Sequence, residues 1–186
     1  MGLQVAFIVA VGTEPTECIA TMDVLKRAGI ACDVFGDFYA FKYVARESFG
    51  SYNGLDNKKY DSFVLPGGGL GVKNVKDECA KDVNFRNVII EMAKMNKLVA
   101  AICAAPSIIG ELGLLKGKRY TCYPGFSSDL FDGKYTAEEV VTDGNIITGR
   151  SMYYSVDFGL AIVEYLLGKE KRDEIEIQVK GLKPKS

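Results

Sequence analysis

Two segments of this 186-residue chain, residues 3–10 and 98–102, are apolar almost without a break, and with a third central strand over 61–65 they restrict the fold more than any other feature. Their apolar residues do not alternate with polar ones, as they would in a strand with one wet face. Short runs of this kind, bounded by turn residues, predict strands covered on both sides. Helix-period stretches lie between and after them, over 15–28, 84–95, 105–112 and 155–167. In the first, Ile19, Met22, Val24 and Leu25 supply the buried side and Gly29 the stop. Further strands are expected over 30–35 and 119–122, with a hairpin between about 140 and 149. Repeated crossovers onto buried strands imply an α/β, doubly wound sandwich with a mostly parallel central sheet.

No linker, repeat or low-complexity stretch divides the chain, so a single domain over 1–186 is expected, with the charged tail 169–186 as a surface element. Ile175, Ile177 and Val179 are its candidates for packing back. The stretch 38–60 is aromatic and uneven. It predicts short strands and loops, with Tyr39, Phe41, Tyr43, Phe49 and Tyr52 as an apolar cover or part of a subunit interface. A net charge of -1 with mixed signs supplies no basic stripe for nucleic acid. The apolar runs are too short for a membrane span, and the N-terminus reads as a first strand rather than a signal peptide. A cytoplasmic protein is expected.

The five cysteines, at 18, 32, 79, 103 and 122, are odd in number and irregular in spacing, which argues against a secreted disulfide framework. The chain has no histidine. A zinc site would need scattered thiols to converge, and Cys-His or Ser-His base pairing within the chain is impossible. No metal and no organic cofactor are expected.

Cys103 stands out because it ends a buried strand and is followed almost at once by a helix. Open α/β sheets bind ligands at the carboxyl ends of their strands. Ala104 and Ala105 suit a crowded turn, and Pro106 suits a first helical turn. Amides at a helix start would favour thiolate over thiol. The plainer reading, a small buried hydrophobe, stands beside this one. Two other strand ends add weight. Glu17, one turn into the first helix, is placed to donate a hydrogen bond to a thiolate when protonated, or to act as general acid or base. The cluster of Gly67, Gly68, Gly69 and Gly71 after Pro66 suggests close backbone approach with amides facing an anion, or simply a turn.

Together, Glu17 with the run 23–30, then 64–68, then Ala101-Ile102-Cys103-Ala104-Ala105-Pro106, and later 158–164, resemble the ThiJ/PfpI superfamily. The likeness is to its small single-domain branch, which includes a parkinsonism-associated protein. It implies a flavodoxin-like sandwich, a nucleophile elbow at Cys103, a protonated acid at Glu17 and pocket backbone at Gly67, Gly68 and Ala104. It implies a homodimer, and either of two roles. One is a cofactor-independent glyoxalase or deglycase acting on small electrophilic carbonyls. The other is an oxidant sensor, or chaperone-like protector, working through oxidation of Cys103. A purely structural dimeric scaffold is the third reading.

Two departures from the resemblance matter. Tyr123 stands where relatives carry histidine, and a phenol is a poor base near neutrality. This disfavours peptidase chemistry. Residues 150–154, Arg150-Ser151-Met152-Tyr153-Tyr154, replace a glycine-proline-glycine turn. Tyr123 and Cys122 are expected to line the pocket. A Cys103–Cys122 disulfide requires the two Cα atoms to lie within about 7 Å, with separated thiols as the alternative.

Overall fold

The computed structural model describes residues 2–37 and 49–183. Tyr39, Phe41 and Tyr43 lie outside the described residues. The elements run β1 Gln4–Ile8, α1 Pro15–Arg27, β2 Ala31–Phe35, β3 Phe49–Gly50, β4 Ser62–Leu65, α2 Gly69–Lys81, α3 Val83–Lys94 and β5 Leu98–Ile102. They continue with α4 Pro106–Glu111, β6 Arg119–Tyr120, β7 Lys134–Tyr135, β8 Val140–Asp143, β9 Ile146–Gly149, α5 Ser155–Leu167 and α6 Lys169–Val179.

The main sheet has the order β3-β2-β1-β4-β5-β9-β8, with β8 alone antiparallel to its neighbour. Strand order reverses between β1 and β4, so the loops leaving these two strands diverge and open a crevice. Alternation along the strands divides the core. Ala6, Ile8, Phe63, Leu65, Val99 and Ala101 face the layer of α2, α3 and α4. Val5, Phe7, Val64, Ala100 and Ile102 face α1, α5 and α6. Both faces being covered, the strands carry the unbroken apolar runs seen in the sequence. This is a flavodoxin-like sandwich.

Local chemistry sets the helix ends. Glu14 caps α1 by accepting the Glu17 amide at 2.7 Å, and Pro15 fills the first turn. Asp82 separates α2 from α3, its Oδ1 accepting the amides of Asn84 at 2.8 Å and Phe85 at 3.2 Å.

Three features differ from expectation. Helix α2 was not foreseen, because glycines weigh against helix propensity. Here they occupy its cap and first turn, and Val72, Val75 and Cys79 then bury one face at helical spacing. Strand β6 stops two residues early. The Thr121 amide bonds the Thr148 hydroxyl at 2.9 Å instead, and the Tyr123 amide turns to the Cys103 carbonyl at 2.8 Å. The charged tail forms α6, docked on α5 through fully buried Ile175 and an Arg172–Glu164 contact. Ile177 and Val179 are only half-buried. Among the described residues no helix is long and apolar enough to cross a membrane.

Candidate active site

The site is built where three parallel strands end. Loops after β1, β4 and β5 leave the same sheet edge beside the reversal of strand order, and they bring Glu17, Gly67, Gly68, Cys103 and Ala104 together.

Cys103 has φ +63°, in the left-handed region. That conformation costs a residue with a β-carbon about 1–2 kcal/mol. Hydrogen bonds from four directions hold it there. The Cys103 amide donates to the Gly149 carbonyl and the Cys103 carbonyl accepts from Tyr123, both at 2.8 Å. The Ala105 amide returns to Ile102 at 3.0 Å, and the Ser107 hydroxyl donates to the Ala104 carbonyl at 2.7 Å. Ala104 and Ala105 are buried in this turn, so larger side chains would displace it. Cys103 is partly exposed, whereas Cys18, Cys32, Cys79 and Cys122 are buried.

Glu17 is fully buried, an uncommon environment for a carboxyl group. Its Oε2 accepts the Gly67 amide at 2.7 Å, while Oε1 is buried without a hydrogen-bond partner. The carboxyl also interacts with the Cys103 thiol. Burial raises its pKa to about 7, with the Glu14 charge adding to the rise and the Cys103 and Gly67 interactions opposing it. At neutral pH the group is therefore divided between acid and carboxylate. A proton relieves the unpartnered oxygen.

The thiol departs from expectation. Burial, followed by the Glu17 charge, pushes Cys103 up to about 12, although the Ala104 and Gly68 amides pull in the other direction. These are loop amides. The first turn of α4 is already committed, with Ser107 bonded to Ala104 and Ile108 to Ala105. A thiolate at neutral pH therefore requires that Glu17 carry no charge. Once the acid holds the proton, its charge vanishes and its O–H becomes a donor.

Gly67 and Gly68 allow the loops to close on one another. A β-carbon on Gly67 would lie 2.6 Å from Glu17 Oε2 and 2.8 Å from Cys103 Cβ. Gly68 has φ +91°, and a β-carbon there would meet the Gly12 carbonyl at 2.4 Å. A Glu14 amide to Gly67 carbonyl bond of 3.0 Å ties the same loops together.

Tyr123 and Cys122 are the other two residues expected to line the pocket. Tyr123 joins the elbow through its backbone, and its half-exposed ring stands edge-on to Phe126. Cys122 is buried in the cluster under α2 to α4, whereas Cys103 packs against the cluster on the opposite face. Their backbones are neighbours and their side chains diverge. The sequence reading missed Gly149, whose carbonyl anchors the elbow. Only strand register reveals it, through the pairing of Ile102 with Gly149.

Comparison with known proteins agrees with this fold. Residues 3–165 match the model of the DJ-1/PfpI family. Protein dj-1beta of Drosophila melanogaster is 34% identical over 189 residues, covering 98% of this chain and 97% of the relative. Its crystal structure superposes with a TM-score of 0.82, at 31% identity, over 99% of this chain and 100% of that one. The glutathione-independent glyoxalase DJ-1 of Schizosaccharomyces pombe is 29% identical, over 93% of this chain and 96% of the relative. Protein DJ-1 homolog B of Arabidopsis thaliana is 36% identical over 90% of this chain, which spans only 39% of that longer relative. A family match across most of the chain and a shared fold end to end, with an acid and a cysteine meeting at the strand ends, lead to one conclusion: this chain belongs to the DJ-1/PfpI family.

Proposed function

We propose that the protein is a cysteine-dependent, cofactor-independent glyoxalase or deglycase-like enzyme acting on small reactive dicarbonyls or their adducts. The observation that carries this reading is the contact between the buried Glu17 carboxyl, with a pKa raised to about 7, and the partly exposed Cys103 thiol. A proton carrier balanced near neutrality suits acid–base work, and the chain has no histidine to supply it.

In this reading Glu17 takes the thiol proton, and the thiolate attacks the aldehyde carbon, forming a C–S bond. The carbonyl electron pair moves to oxygen, which receives the proton back as a hemithioacetal. Amides of Gly68 and Ala104, which already face the sulfur, steady the developing oxygen charge. Glu17 then moves a proton from the former aldehyde carbon to its neighbour through an enediol, leaving a 2-hydroxyacyl thioester. Water cleaves the C–S bond. The sum is one dicarbonyl plus one water to one 2-hydroxy acid, with no external oxidant or reductant. The relative from Schizosaccharomyces pombe, named a glutathione-independent glyoxalase, supports this assignment.

Methylglyoxal turnover should vanish in Cys103→Ala and Glu17→Gln. Undiminished turnover in Cys103→Ala would eliminate the mechanism. The second reading, oxidant sensing, is favoured by the unique exposure of Cys103 among the five cysteines. It predicts selective oxidation at Cys103 with negligible turnover.

A further inference from the structure

Tyr123, Pro124, Arg150, Ser151, Tyr153 and Tyr154 form a cleft of about 380 Å³ against Tyr135 and Ala137. Both of its walls begin at the elbow. Tyr123 is bonded to the Cys103 carbonyl, and Arg150 directly follows Gly149, which accepts the Cys103 amide. The cleft therefore lies beside the thiol site, its walls growing from the two segments that hold Cys103.

Its lining combines apolar ring faces with a single charge. Tyr123, Tyr135, Tyr153 and Tyr154 supply the rings, Ser151 a hydroxyl and Arg150 the only ionic group. The Arg150 guanidinium donates from Nη1 to the Ala137 carbonyl at 2.7 Å and from Nη2 to the Tyr154 hydroxyl, and it stacks over the Tyr154 ring at 4.9 Å. These contacts fix its orientation without neutralising it. Among the described residues no carboxylate pairs with Arg150. A guanidinium has about five N–H donors, so roughly three remain free. A fixed planar fork without a counterion is suited to a carboxylate. The larger cleft, of about 490 Å³, has Asp37 and Glu78 in its lining and would repel the same ligand.

We propose that this cleft is a carboxylate-recognition subsite of the Cys103 centre. Its preferred electrophiles are α-oxoaldehydes carrying a distal carboxylate, rather than neutral ones of equal size. The inference rests on the enzymatic reading for its substrate and on Arg150 alone for its binding.

Two measurements separate those dependencies. The first is the ratio of initial kcat/KM for 4,5-dioxovalerate to that for its methyl ester. The expected ratio is about tenfold at low salt, falling toward one in Arg150→Gln. Arg150→Lys keeps the charge but loses the fork, and should retain only a small part of the preference. It also carries the test if melting shows that Arg150→Gln is misfolded. The second is ligand-observed NMR of levulinate and methyl levulinate with Cys103→Ala protein, which needs no turnover. Levulinate binding that is lost in Cys103→Ala/Arg150→Gln supports the subsite even if no turnover is found, in which case only the enzymatic reading fails. Turnover with equal rates for acid and ester, together with no levulinate binding, overturns the subsite and leaves the enzymatic reading intact.

Discussion

Glu17 and Cys103 meet across Gly67, in a gap that the absence of one β-carbon leaves open. The amide of Gly67 binds Glu17 Oε2 at 2.7 Å, and a methyl group at its Cα would press on both partners at under 3 Å. The atoms it would meet are the Glu17 carboxyl oxygen, Cys103 Cβ and the Ile102 carbonyl oxygen, and the last two are fixed by the backbone.

Gly67→Ala should therefore destabilise the protein by about 1–3 kcal/mol through overpacking and separate the acid from the thiol. Urea denaturation gives the first quantity. Iodoacetamide labelling of Cys103 at fixed pH gives the second, and an unchanged labelling rate would refute the separation.

The Glu17 carboxyl makes stability depend on pH. Its pKa is raised from an ordinary 4.5 to about 7 in the folded state, so the native protein binds more protons than the unfolded chain between those values. Stability should fall as pH rises through that window, by about 3 kcal/mol in total. Glu17→Gln removes the dependence. Its stability should match the parent near pH 4 and exceed it above pH 7, as read by chemical denaturation across pH. A parent profile that is flat from pH 5 to 8 would contradict the protonation argument.

Glu17→Gln should also change the thiol. Both the carboxylate charge and its hydrogen bond raise the Cys103 pKa. Replacing them with a neutral amide should lower it. The rate of thiol alkylation against pH measures this. The variant would then combine higher stability and a more ionised thiol with the loss of turnover expected above.

Graded peroxide followed by peptide mass analysis should modify Cys103 first, because the other four thiols are buried. Cys122→Ala should leave the product at Cys103 unaltered, since the two side chains pack on opposite faces. A Cys103–Cys122 cross-link in the parent would overturn that placement.

Away from the site, the Lys97 ammonium donates to the carbonyls of Asn57 at 2.8 Å, Tyr60 at 2.7 Å and Lys58 at 3.3 Å, joining the start of β5 to the segment before β4. Lys97→Met leaves these acceptors without the charge and should cost about 2 kcal/mol. Thermal melting tests it, and turnover serves as a control for the distant site.

Much of this architecture was legible because burial on both faces leaves a direct trace in residue type. The strand over 98–102 and the helix over 155–167 coincide with β5 and α5, and the hairpin appears as β8 and β9. Helix α2 was hidden because its glycines serve loop packing, which propensity does not register. Cys103, Glu17 and the glycines were legible as residues with unusual company, while the early end of β6 depended on a hydrogen bond to the elbow that no local pattern encodes.

By itself the sequence determined the layered α/β fold, the absence of any imidazole and the presence of an acid and a thiol at neighbouring strand ends. Only the tertiary structure decided their electrostatics. Helix-start amides suggested a thiol inclined to ionise, yet burial and the Glu17 charge raise it, because desolvation depends on everything packed around a group and not on its neighbours in the chain. The same holds for Arg150. Its charge was plain in the sequence, but its freedom from any carboxylate among the described residues follows from long-range packing alone.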